Sequence, residues 1–157
     1  MDLGSGGGVP GLALLDIWHS PVTMLDAMEK RTTFLREVLL WDDSPTGGEV
    51  ITGRAEDVAR NPQYLENFEL VVARSFAPPA VVAECASRFL EMEGFLIVSE
   101  PPEETSSRWN QGVLEHLGLT DVGLFRSTAN FRVIKKIAPT PEEFPRSTGI
   151  PGKRPLF

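Results

Sequence analysis

Asp2-Leu3-Gly4-Ser5-Gly6-Gly7-Gly8-Val9-Pro10-Gly11 is the stretch that decides how the rest of this 157-residue chain reads. Glycine accepts positive φ and leaves room for a ligand where a Cβ would collide. A glycine loop at the carboxyl end of a strand, opening into a helix, is where doubly wound α/β folds seat a nucleotide-like ligand. Eighteen residues beyond Gly8, Asp26 closes the run Val22-Thr23-Met24-Leu25. An acid at that spacing is placed to accept hydrogen bonds from ribose hydroxyls. The loop alone reads as no more than a surface turn. Loop and acid together point to an adenosine-containing cofactor.

Outward from the loop, short apolar runs alternate with helical patterns. Val22–Leu25, Glu49–Thr52, Phe68–Ala73 and Gly94–Val98 read as strands, being rich in β-branched and large apolar residues. Met28–Trp41 carries Phe34, Leu35, Val38 and Leu39 at helical spacing, and a second helix opens at Pro78-Pro79. Proline suits a first helical turn, where its missing N–H has no intrahelical partner to lose. Ser106–Leu117 is a third helix, and Val122–Phe125 with Phe131–Ile137 form a closing strand pair. Strand–helix alternation with nearly continuous apolar strands predicts an α/β fold, its sheet mostly parallel and covered on both faces. From Ala138 the pattern gives way to prolines and glycines. The predicted division is a domain at 1–137 and an extended basic tail at 138–157.

The formal net charge is -7, with 15 Lys+Arg against 22 Asp+Glu, and that acidity argues against a chain binding nucleic acid over its whole surface. The charge is uneven. Residues 131–157 hold six basic and two acidic side chains, a net of +4 on an acidic body. Such a tail reads either as a local polyanion contact or as a solubilising extension. No apolar run approaches the ~20 residues of a membrane span, and the N-terminus lacks a secretory pattern. Cys85 is the single cysteine, so no internal disulfide forms, and no Cys/His cluster has metal-binding spacing.

The spacing also sorts the cofactors. The nicotinamide fingerprint places its third glycine three positions after the second, where this chain has Val9; no Gly-Lys-Ser/Thr follows, which removes a P-loop. Acid-x-Gly-x-Gly-x-Gly, from Asp2 through Gly4, Gly6 and Gly8, is similar to motif I of class I S-adenosylmethionine-dependent methyltransferases. Further blocks extend the likeness. Leu25-Asp26-Ala27-Met28-Glu29-Lys30-Arg31, Gly53-Arg54-Ala55-Glu56, Val72-Ala73-Arg74-Ser75-Phe76-Ala77 and the tail Phe144-Pro145-Arg146 with Gly149, Pro151, Lys153 and Pro155 occur in order along the chain. Together they resemble the RsmG/GidB family, bacterial 16S ribosomal RNA guanine-N7 methyltransferases.

The resemblance implies a Rossmann-like class I methyltransferase sheet and S-adenosyl-L-methionine as cofactor. It assigns cofactor contacts to Gly4, Gly6, Gly8, Val9, Asp26, Ala55, Glu56 and Arg74. It implies 16S ribosomal RNA, or a precursor of the small ribosomal subunit, as partner of a cytoplasmic monomer. Arg146, Lys153 and Arg154 are the expected RNA contacts, with Lys30 and Arg31 as further candidates. No catalytic side chain is assigned, because guanine N7 is an unprotonated lone pair and its attack on a sulfonium methyl needs no general base. Cys85 on an apolar helix face reads as core, as do Trp18, Trp41 and Trp109 in or beside helical patterns. Pro101-Pro102-Glu103-Glu104 departs from the family, where a lysine often follows the fifth strand.

The family places a strand before the glycine loop and a helical segment before that strand. Here the loop begins at residue 2, so the expectation is an N-terminally truncated chain whose first strand is missing or incomplete, with Met1 a misassigned start. Two other readings remain open: a methyltransferase of the same fold acting on another RNA or a small molecule, and an inactive or partner-dependent fragment.

Overall fold

The computed structural model describes residues 1–102 and 108–157. Seven strands form one sheet: β1 (Asp2–Leu3), β2 (Val22–Asp26), β3 (Gly48–Thr52), β4 (Phe68–Ala73), β5 (Leu90–Glu100), β6 (Leu119–Arg126) and β7 (Asn130–Lys136). Their order across the sheet is β3-β2-β1-β4-β5-β7-β6. The first five are parallel, and β7 runs antiparallel between β5 and β6. The mostly parallel sheet with a closing antiparallel pair is therefore observed.

The first strand is present, though only two residues long. Asp2 pairs with Met24 on one side and Val72 on the other, and Leu3 pairs with Leu25. The Val72 N–H donates to the Met1 carbonyl, so the β4 ladder keeps its partner. Asp2 and Leu3, read from sequence as the start of the loop, are the strand itself. The loop then turns on the Leu25 carbonyl, which accepts both the Gly4 and Ser5 N–H groups.

Among the described residues six helices accompany the strands: α1 (Gly11–Trp18), α2 (Glu29–Leu39), α3 (Ala55–Val58), α4 (Pro79–Ser87), α5 (Gln111–His116) and α6 (Ile150–Lys153). The third expected helix appears as α5; its proposed beginning at Ser106, like Glu103 and Glu104, lies outside the described residues. Period-2 alternation sends neighbouring strand residues to opposite faces. Met24 thus joins Leu15, Val22 and Leu35 in one core, while Leu25 joins Leu3, Val71, Ala86 and Phe89 in the other.

The helix α4 is buried along its entire length, including the carboxylate-bearing Glu84. A helix covered all round needs more than one sheet face against it. The additional cover comes from residues 138–157. The segment expected to be extended folds back on the body, buries Phe144 and Pro151, and forms α6 against α4.

Candidate functional site

Parallel sheets bind ligands where the strand order reverses, outside the carboxyl ends of the strands. Here that point lies between β1 and β4, and a crevice opens there. It has two chambers, of about 380 and 340 Å³, which share Gly4, Arg31 and Ser75. Small-molecule sites commonly hold roughly 300–1,000 Å³.

The glycine loop forms one wall. Gly4 and Gly8 have φ of +78° and +92°. A Cβ on Gly4 would stand 2.5 Å from Cδ2 of Phe76, and one on Gly8 would stand 2.4 Å from Cδ1 of Leu12. These two positions combine a left-handed backbone with an approach so close that a side chain there would force its neighbours to shift. Asp2 anchors the loop's far end, accepting the Gly11 N–H at 2.9 Å. Its burial beneath the loop raises its carboxyl pKa above the ordinary value.

Asp26 sits at the carboxyl end of β2, facing the loop. Oδ2 accepts the Gly6 N–H at 2.9 Å, and Oδ1 accepts the Met28 N–H at 2.8 Å. Arg31, near the start of α2, brings Nη1 to 3.4 Å from Oδ2. Two backbone donors thus fix the carboxylate's direction while it lines the larger chamber. A carboxylate offers about four acceptor positions; three are used, which leaves capacity for a hydroxyl.

Most of the expected cofactor residues come together. Gly4, Asp26, Ala55 and Glu56 line the larger chamber. Gly4, Gly6, Val9 and Arg74 line the smaller one. Gly8 lines neither and instead lets the loop lie on Leu12 and Leu35. Arg74 is exposed, lines the smaller chamber and makes no hydrogen bond or ion pair among the described residues. Glu56 is buried, and its Oε1 accepts the Gly149 N–H at 2.9 Å.

The expected RNA contacts divide differently. Lys153 and Arg154 are exposed. Arg146 is turned inward: its backbone N–H, Nε and Nη2 all donate to the Glu84 carboxylate, at 2.8, 2.9 and 2.7 Å. That bonding raises the guanidinium pKa still further above its ordinary value. Other cations of the basic segment are also paired, Arg132 with Asp121 and Lys135 with Glu93, while Lys136 is fully buried. The positive charge counted along the sequence is therefore largely neutralised in space.

Sequence reasoning missed Ser75, Phe76, Gly149 and Gly152, all of which line the crevice. Ser75 takes a left-handed φ of 54° between the chambers, a conformation that concentrates at functional sites. Cys85 borders the larger chamber but is core as expected, and burial pushes its thiol pKa up, keeping it protonated. The expected packing role of tryptophan holds for Trp109, whose Nε1 donates to Glu100 at 2.6 Å. It fails for Trp18 and Trp41, which are 50% and 64% exposed. Both stand at or just past helix ends, where the apolar face has run out.

A sheet of this order, with a glycine loop after β1 and an acid ending β2, defines a class I methyltransferase fold. Solved structures agree. The antibiotic-resistance methyltransferase Kmr superposes with a TM-score of 0.70 at 12% identity, covering 87% of this chain and 85% of its own. A SAM-dependent methyltransferase from Aquifex aeolicus superposes at 0.63 with 18% identity, covering 87% and 80%. Residues 1–105 match the family described as rRNA small subunit methyltransferase G, GidB. Proteins named ribosomal RNA small subunit methyltransferase G are similar along the whole chain. That of Leuconostoc mesenteroides is 34% identical over 99% of this chain and 68% of its own length. That of Dictyoglomus thermophilum is 34% identical over 100% and 68%. The chain belongs to the RsmG/GidB family, and it spans about two thirds of the length of these relatives.

Proposed function

We propose that this protein transfers a methyl group from S-adenosylmethionine to N7 of a guanine in 16S ribosomal RNA. Family membership supports the class of reaction. The observation that carries the residue assignment is the fixed Asp26 carboxylate, aimed into a crevice whose opposite chamber holds an uncommitted Arg74. These groups fit the two ends of the cofactor. Asp26 would accept from the ribose hydroxyls, and Arg74 would meet the carboxylate of the methionine part. Ala55 and Glu56 would border the adenine. Bound there, the cofactor supplies an electrophilic sulfonium methyl.

What the chain contributes is alignment. Guanine N7 carries its lone pair unprotonated, so no side chain must remove a proton before attack. Holding two reactants in attack geometry is worth up to about 7–11 kcal/mol in well-oriented systems. The fixed loop, locked by Gly6 and Asp26 on one side and Phe76 on the other, is built for that role. No thiol nucleophile is needed, in keeping with a Cys85 that burial keeps protonated.

Residues 1–137 would supply the groups named above, with Gly149 and Gly152 of the following segment lining the same chamber. In the segment 138–157, Lys153 and Arg154 present exposed charge to RNA phosphates, an electrostatic contact that weakens with salt. The RNA substrate would be read as free RNA or as part of a subunit precursor, by a monomer.

Calorimetric titration of S-adenosylhomocysteine into the chain and into Asp26→Ala tests the assignment. Saturable binding that weakens in the variant supports it. A cooperatively melting chain that binds no cofactor overturns it.

A further inference from the structure

The larger chamber is lined by Gly149 and Gly152, both from the segment that follows the last strand. This segment is tied to the body at successive points. Arg60 donates to the Pro145 carbonyl. Arg146 donates three hydrogen bonds to Glu84 on α4, and its Nη2 also reaches the Arg154 carbonyl at 2.8 Å. Thr148 Oγ1 bonds the Asp57 carboxylate on α3, and the Gly149 N–H bonds Glu56 beside it. Arg146 thus clamps α4 at one end and the close of α6 at the other.

The Glu84 carboxylate has no exposed surface, and among the described residues every hydrogen bond to it comes from Arg146. A carboxylate inside a fully covered helix is costly unless paired. Its pairing to a residue 62 positions downstream fixes the path of the segment across the chamber.

We propose that residues 144–153 are a strap completing the cofactor chamber, with Glu84 and Arg146 as positioning residues that hold Gly149 and Gly152 against the bound adenosine. Arg146 then serves the cofactor, and RNA is left to other cations. This rests on the cofactor reading above.

The test measures S-adenosylhomocysteine affinity, affinity for transcribed 16S ribosomal RNA, and melting temperature in three proteins. They are the wild type, the paired variant Glu84→Gln/Arg146→Gln, and Gly152→Leu. Gly152 lines the larger chamber, and a Cβ there would meet no atom within 4 Å apart from its chain neighbours and its own helix, so the substitution adds bulk beside the chamber without a clash at Cβ. Both variants are expected to bind S-adenosylhomocysteine at least tenfold more weakly, with RNA affinity within twofold of wild type. Loss of RNA affinity with cofactor affinity intact overturns the strap and returns Arg146 to the RNA. Unchanged cofactor affinity in Gly152→Leu overturns it as well, even where the paired variant does not fold. A folded wild type that binds no cofactor sinks the underlying reading instead.

Discussion

Asp26 and Gly6, twenty residues apart, meet through a 2.9 Å hydrogen bond from the Gly6 N–H to the Asp26 carboxylate. The bond joins the end of β2 to the glycine loop across the top of β1. Because Met28 donates to the other oxygen, the carboxylate is oriented before any ligand arrives. Preorganisation of this kind removes part of the ordering cost of binding.

Replacing Asp26 removes both the loop tether and the ribose acceptor. Hydrogen bonds to a charged group contribute about 1.5–3 kcal/mol. Asp26→Ala is therefore expected to weaken S-adenosylhomocysteine binding roughly 10- to 100-fold, measured by calorimetry. Asp26→Asn, which keeps one acceptor oxygen, should lose less.

Gly8→Ala tests the loop as a packing device. The added Cβ would meet Leu12 at 2.4 Å and Leu35 at 2.9 Å, on a backbone with φ of +92°. Overpacking costs about 1–3 kcal/mol, and the left-handed backbone adds strain. A urea denaturation midpoint clearly below wild type is expected, although Gly8 itself lines neither chamber.

Arg146→Ala alone should be more damaging than the loss of both partners. Removing one member of a buried ion pair leaves an uncompensated charge and costs about 3–5 kcal/mol, whereas a pair of neutral amides leaves no buried charge unpaired. Glu84 is fully buried and Arg146 mostly so. Thermal melts of Arg146→Ala and of Glu84→Gln/Arg146→Gln check this ordering, with the single variant melting lower.

Lys136 gives a pH signature. Its Nζ is buried against the Ser87 carbonyl, and desolvation lowers its pKa to about 8, opposed in part by Glu66. The unfolded lysine titrates near 10.4. Between those values the unfolded chain binds more protons than the folded one, so this site's contribution to stability rises with pH there. Below about pH 8 the buried charge carries its full penalty. The difference in stability between wild type and Lys136→Met should therefore shift in the wild type's favour from pH 8 to pH 10.

The sheet was legible from sequence because parallel strands buried on both faces read as apolar runs, and the end of β2 fell within one residue of its expected place. The start of β5 was not. Phe89 and Leu90 continue the apolar spacing of α4, so the strand was expected only from Gly94, whereas pairing begins at Leu90 with a register shift before Phe95. The four-residue helices α3 and α6 are too short to show a period. The cofactor half of the site was readable because its residues cluster near strand ends in recognisable blocks. The Glu84–Arg146 pair was not, since nothing local links residues 62 positions apart. A count of basic residues likewise says nothing of which ones their neighbours neutralise.

The most direct measurement is methyl transfer from S-[methyl-³H]adenosylmethionine to 16S ribosomal RNA, as free transcript and as assembled small subunit, followed by mapping of the modified base. Incorporation at a guanine N7 is expected, revealed by strand scission after borohydride and aniline, and strongly reduced by Asp26→Ala. Cofactor binding without label in either RNA, or label confined to positions that resist this scission, would contradict it.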